Sequence, residues 1–216
     1  MSTSDFRIVE PPFSEQSDRT TNDQSTVIGV VLAAGSSSRF GETNKLLTEW
    51  IDAPLVSHAV DNLLQSVVDE VVVVVGYDAK RVQAAVSGFE VTIVNNQKYA
   101  AGQATSVRRG VEAARTRGAD AIVFVLGDMP AVETESIDLL VNAYHAGVGY
   151  ALATAFEGNR GNPVLFARRH FDALANITGD TGGRGVLHND DEAALVETGD
   201  RGVLIDVDSI EDMEEL

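Results

Sequence analysis

Residues 27–45 read VIGVVLAAGSSSRFGETNK, an apolar, β-branched run that stops in a loop of small residues carrying Arg39 and Lys45. No polar side chain interrupts Val27–Leu32, which marks a strand buried on both faces and so a parallel sheet covered by helices. Ala33, Ala34, Gly35 and Ser36 keep their side chains short, letting backbone N–H groups approach an anion directly, with two cations aimed into the same loop. The loop is therefore a candidate phosphate cradle, and the competing reading is an ordinary strand-to-helix turn.

The spacing excludes three better-known loops. A Walker-type loop needs Gly, four residues, Gly, then Lys and Ser/Thr, whereas five residues separate Gly35 from Gly41, and Glu42 and Thr43 follow. The third glycine of the dinucleotide fingerprint is missing. A nucleophile elbow needs glycine two residues after its serine, where Arg39 follows Ser37.

Outward from this stretch the pattern alternates strand and helix. It predicts helices over 54–66, 79–86, 106–117 and 135–146, with strands over 70–75, 90–95 and 121–126 between them. The expected fold is α/β, a Rossmann-like three-layer sandwich with a mostly parallel sheet. Beyond Gly147 the pattern predicts strands over 150–156 and 164–166, a helix over 168–175 and a closing strand over 203–207. Loops are expected over 158–163 and 179–185, and a short acidic helix over 210–216. Residues 1–24 are polar and aperiodic with Pro11-Pro12, and read as a mobile tail ahead of one domain, 25–216.

The 216 residues suffice for a full core. The absence of cysteine excludes disulfides and thiolate metal sites. No stretch of about eighteen apolar residues and no apolar N-terminal targeting core occur, so a cytoplasmic protein is expected. A formal charge of −17 argues against nucleic acid or an acidic membrane surface as partner. Acidic residues spread along the whole chain are also what a protein solvated in very salty cytoplasm shows. Self-repulsion then loosens the fold at low salt, and the expected result is a melting temperature that rises with molar KCl.

Several residues outside the loop could carry chemistry. Asp128, in Gly127-Asp128-Met129-Pro130, follows the buried run AIVFVL and projects from a carboxyl strand edge, where open sheets bind ligands. A carboxylate there suits Mg²⁺, or it begins a turn or caps the next helix. Asp206 and Asp208 flank Val207 and share a face by the two-residue period; either would complete a metal site, or both are solvated. Thr105 or Ser106 would cap a helix, or Gly102 and Ser106 would meet a nucleotide base. Arg160, Asn162 and Arg184 lie in glycine-rich loops able to hold a second anionic substrate or simply face solvent. His58, His145, His170 and His188 show no ligand spacing and read as structural.

Together these segments resemble the MobA-like nucleotidyltransferases, and within them the molybdenum-cofactor cytidylyltransferases. The likeness rests on LAAGSSSRFG with Asn44-Lys45-Leu46-Leu47, GQATSVRRGVEAA, VLGDMP, RGNPVLF, GDTGGRG and DVDSIEDMEEL. It implies a nucleotide-diphospho-sugar transferase-like fold that moves a nucleotidyl group from a triphosphate to a phosphorylated acceptor. By the same resemblance, Leu32, Ala33, Ala34, Gly35, Ser36, Arg39 and Lys45 hold the triphosphate, and Gly102 and Ser106 meet the base. Asp128 binds Mg²⁺ with Asp206 or Asp208.

Guanylyltransferases of the group tend to read Leu-Ala-Gly-Gly in the first loop and cytidylyltransferases Leu-Ala-Ala-Gly, as here. A methyl at position 34 would crowd a purine, so CTP is the expected donor. The implied acceptor is molybdopterin, with transient contact to a molybdoenzyme. GTP transfer, a sugar- or lipid-phosphate acceptor, and a non-catalytic cofactor-binding module are the rival readings. Gly183 replaces the family's alanine, Ser209 its threonine and Ile210 its proline, which leaves the acceptor open.

Overall fold

The computed structural model describes residues 6–13, 25–36, 44–209 and 211–214. Its main sheet has eight strands: β1 (Arg7–Val9), β2 (Val27–Ala33), β5 (Glu70–Val75), β6 (Thr92–Asn95), β7 (Ala121–Leu126), β8 (Ala151–Phe156), β9 (Asn159–Ala167) and β10 (Ala194–Glu197). The remaining pair, β3 (Glu49–Trp50) and β4 (Ala53–Pro54), forms a small hairpin. The spatial order is β1-β10-β8-β9-β7-β2-β5-β6. All neighbours run parallel except at β9, which is antiparallel to both β7 and β8.

Alternate residues of the central strands enter two separate cores. Val31, Val73 and Val123 face one side, where α1 (Leu55–Leu64), α2 (Ala79–Ala85) and α4 (Thr134–His145) pack. Val30, Val72 and Phe124 face the other, beneath α3 (Gln103–Thr116), α5 (Phe171–Ala175) and α6 (Arg184–His188). This double burial explains the unbroken β-branched runs, and the three layers are those expected. Fully buried side chains such as Leu63 and Phe166 each contribute about 1.5–3 kcal/mol by leaving water. No helix among the described residues is long and apolar enough to cross a membrane.

The structure corrects five expectations. Residues 7–9 are not tail but an edge strand, paired in parallel register with β10. Three residues are too few to show a period, and their partner β10 gains its own ladder only over long range. The segment 158–163 is mostly the start of β9, whose glycine and proline made it look like a loop. Residues 203–207 form no strand: a 3-10 turn spans Arg201–Leu204 and irregular chain follows. Helix α3 begins at Gln103, with Gly102 as N-cap and no side-chain cap, so Thr105 and Ser106 sit inside its first turn. The expected acidic C-terminal helix is a 3-10 turn, Glu211–Glu214.

Candidate functional site

Buried Asn44 places Lys45. Its Oδ1 accepts the Leu46 N–H at 3.1 Å, capping the one-turn 3-10 helix Lys45–Leu47, while the Leu46 side chain anchors in the core. Lys45 is thereby held inward. Its Nζ lies 2.6 Å from Asp128 Oδ2 and 2.7 Å from Asp208 Oδ1. Burial works to lower the ammonium pKa, but the charges and hydrogen bonds of the two aspartates outweigh it and the net displacement is upward.

Asp128 reaches this point because β7 ends in a tight turn: Gly127 N–H bonds the Leu32 carbonyl at 3.1 Å and Met129 N–H the Leu126 carbonyl at 3.2 Å. Capping is not its role, since the N-cap of α4 is Glu133. Asp208 arrives by a different route. Buried Asp200 accepts hydrogen bonds from Glu133 N–H, Ser136 Oγ–H and Gly202 N–H at 2.9, 2.8 and 2.7 Å, fixing the turn that follows. That turn crosses β9 at Gly161, where a Cβ would stand 2.4 Å from the Val203 carbonyl oxygen. Val207 N–H then bonds the Asp128 carbonyl at 2.9 Å, which carries Asp208 to Lys45.

Asp206 stands near the same cluster. Burial, then the charges of Asp128 and Asp208, push its carboxyl above the ordinary range. Beyond it, the Asp212 carboxylate accepts the N–H groups of Asp208 and Ser209 at 2.8 and 2.7 Å. Asp200→Ala should remove about 3 kcal/mol of stability, since three donors lose a charged acceptor. Chemical denaturation would measure it.

Beside the cluster opens a cavity of about 530 Å³ at the carboxyl edge of the sheet. Leu32, Ala34, Gly35 and Ser36 form one wall with Lys45, and Gly102 and Ser106 form another. Ala33 points the opposite way, into the core. The side chain of buried Asn96 donates to Thr105 Oγ1 at 2.8 Å and Ser106 Oγ at 3.0 Å, so the Ser106 hydroxyl keeps its own proton to donate. Gly102 has φ +100°, and a Cβ there would lie 2.5 Å from the Gly179 carbonyl oxygen. The loop at 179–183 is thus pressed onto the start of α3, and Ala104 N–H bonds the same carbonyl at 3.1 Å.

Arg160, Asn162 and Arg184 line an adjoining cavity of about 310 Å³. Leu32, Gln103, Leu126 and Asp180 border both spaces. The reading of single residues missed Gln103 and Asp180, although each lies within a segment already marked, GQATS and GDTGGRG. Tyr99 was missed as well and carried no local signal. The four histidines line neither cavity, and Arg39 lies outside the described residues.

Two carboxylates gripping one ammonium supply the hard oxygen donors that suit a divalent cation. Among the described residues, however, no group of three or more His, Asp or Glu side chains is arranged to hold a metal. The three aspartates are therefore not a ready-made cage, and a metal here would need oxygens from a substrate and water as well.

Residues 29–194 match the MobA-like NTP transferase domain. A protein from Paenarthrobacter nicotinovorans named nicotine blue oxidoreductase is 29% identical over 88% of this chain and 96% of its own length. The molybdenum cofactor cytidylyltransferase of Escherichia coli K12 is 26% identical over 85% of this chain and 91% of its own. Among solved structures, Rv0371c of Mycobacterium tuberculosis superposes with a TM-score of 0.78 at 28% identity, covering 88% of this chain and 97% of that one. A second structure of Rv0371c is a complex with manganese.

Proposed function

Because the chain belongs to the MobA-like NTP transferase family and is a nucleotidyltransferase, we propose that it moves a cytidylyl group from CTP onto the phosphate of molybdopterin, releasing pyrophosphate. The observation that carries this reading is the meeting of Lys45, Asp128 and Asp208 beside a nucleotide-sized cavity at the carboxyl edge of the sheet. The Ala34 methyl on the cavity wall and the likeness to the Escherichia coli cytidylyltransferase support CTP and the acceptor.

An oxygen of the acceptor phosphate attacks the α-phosphorus in line; the new P–O bond forms as the bond to the β-phosphate oxygen breaks, and pyrophosphate leaves with the electron pair. That oxygen is already ionised at neutral pH, so no general base is required and catalysis consists of positioning and charge stabilisation. Backbone N–H groups at Gly35 and Ser36 orient the triphosphate. Lys45 exchanges its aspartate partners for the phosphate oxygens and balances the charge that develops on pyrophosphate. Arg39 is the second cation in this proposal. Ser106, held by Asn96, donates to the base. Asp128 and Asp208, with Asp206 close by, would hold Mg²⁺, which would draw charge from the triphosphate oxygens.

The test is pyrophosphate release with each of the four nucleoside triphosphates and Mg²⁺, with and without molybdopterin. Redox turnover is followed in parallel, because one relative is named as an oxidoreductase. Release that requires both CTP and molybdopterin is the expected result. Preference for GTP would overturn the base assignment, and redox turnover without pyrophosphate would overturn the reaction.

A further inference from the structure

With 33 acidic residues against 16 lysines and arginines, carboxylates are the commonest charged partners open to an arginine in this chain. Arg81, Arg115, Arg117 and Arg169 have each taken one or two. The Arg160 guanidinium, half-buried on β9, has no hydrogen-bond or ion-pair partner among the described residues. Its neighbour in charge is another cation. Burial, and then the charge of Arg184, hold its guanidinium below its ordinary pKa. A desolvated guanidinium beside a second one is unfavourable unless an anion completes the site.

The fold shows where that anion would lie. Because β9 runs antiparallel to β7, its first residues come to the edge where β7 ends. The β8–β9 register shifts between Arg160 and Val164, and the irregular stretch still brings Arg160, Asn162 and Val164 to one cavity. Val164 pairs with Phe124, and both line the 310 Å³ cavity that Arg184 borders from the start of α6. One end of this cavity is thus cationic and its floor apolar. It opens onto the cavity of Lys45 along Leu32, Gln103, Leu126 and Asp180.

We propose that Arg160 and Arg184, helped by the Asn162 amide, form the seat of the acceptor, a phosphomonoester carried on an apolar-faced body. The inference rests on the nucleotidyl-transfer reading and deepens it. Guanidinium forks take two terminal phosphate oxygens side by side and leave the third facing the donor cavity, while Phe124 and Val164 meet the body. The two positive charges also offset the repulsion between an acceptor phosphate and a triphosphate brought into contact.

Phenyl phosphate, a phosphomonoester on an apolar ring, is the probe. Its ³¹P resonance is titrated with the full chain, with and without CTP and Mg²⁺, for the unaltered protein and for Arg160→Ala, Arg160→Lys and Arg184→Ala. The expected result is binding that saturating CTP does not displace and that each alanine variant weakens about 10- to 100-fold, with CTP affinity within about twofold of normal. Arg160→Lys keeps a charge but loses the fork, and should fall between. Arg184 is exposed, so its variant stays folded even if Arg160→Ala does not.

Displacement of phenyl phosphate by CTP, or indifference to both arginines, would overturn the seat. CTP binding unaffected in every variant would then leave the donor reading standing. Conversely, arginine-dependent phenyl phosphate binding in a protein that ignores CTP would keep the seat and reject the donor.

Discussion

Asp128→Ala should lower the rate of pyrophosphate release on the order of 10³-fold or more at saturating CTP, with the fold intact. The expectation follows from where Asp128 stands: one oxygen 2.6 Å from the Lys45 ammonium, at the end of a strand whose ladder to β2 fixes it. Loss of a single preorganised group at a centre of developing charge costs about 10²–10³-fold. Asp128 is in addition the proposed metal ligand held most firmly by secondary structure. Asp208 alone, on irregular chain and 45% exposed, would not hold the metal in register. Stopped-flow detection of pyrophosphate checks the rate, and circular dichroism checks the fold. Turnover within about tenfold of normal would remove Asp128 from the mechanism.

Lys45→Ala should cost about 10²–10³-fold in the same assay, and its stability signature is separate from its effect on rate. The Lys45 side chain is only 14% exposed, so its removal leaves Asp128 and Asp208 facing one another without a counter-charge. With one partner largely solvated, the loss should be about 1–2 kcal/mol, less than for a fully buried pair. The pH dependence has a definite sign. Since the folded-state pKa of Lys45 is raised above 10.5, its contribution is complete at neutral pH, begins to fade above that value and is gone once pH passes the folded-state pKa. Urea titrations of both proteins at pH 7 and above pH 10.5 should therefore converge at the alkaline end. A gap that widens there would contradict the ion-pair assignment.

Strands buried on both faces were legible almost to the residue. Glu70–Val75 and Ala121–Leu126 have the bounds that their β-branched runs predict, because double burial tolerates no polar position. Short or edge elements were not. Strands β1 and β10 gain their ladder from each other and from β8, a long-range pairing that leaves no local period. The start of β9 carries glycine and proline for packing reasons: Gly161 admits the Val203 carbonyl, a demand invisible in a residue list.

The candidate site shows the same division. Lys45 and Asp128 follow from strand ends and loop chemistry. Asp208 was picked out through a strand that does not exist; the real link is one hydrogen bond from Val207 to Asp128 and the anchoring of Asp200 upstream. Gln103 and Asp180 form the boundary between two cavities because the loop at 179–183 packs against Gly102, a contact with no local signature in the sequence.

In the proposed mechanism Asp128, with Asp208, holds the metal of a bound triphosphate. Electron paramagnetic resonance of Mn²⁺ tests it directly, in the presence of a non-hydrolysable CTP analogue. Beyond the depletion caused by the analogue alone, the unaltered protein should remove free Mn²⁺ signal equivalent to about one ion per chain, and Asp128→Ala at equal concentration should remove none. Equal uptake by the two proteins would contradict that role.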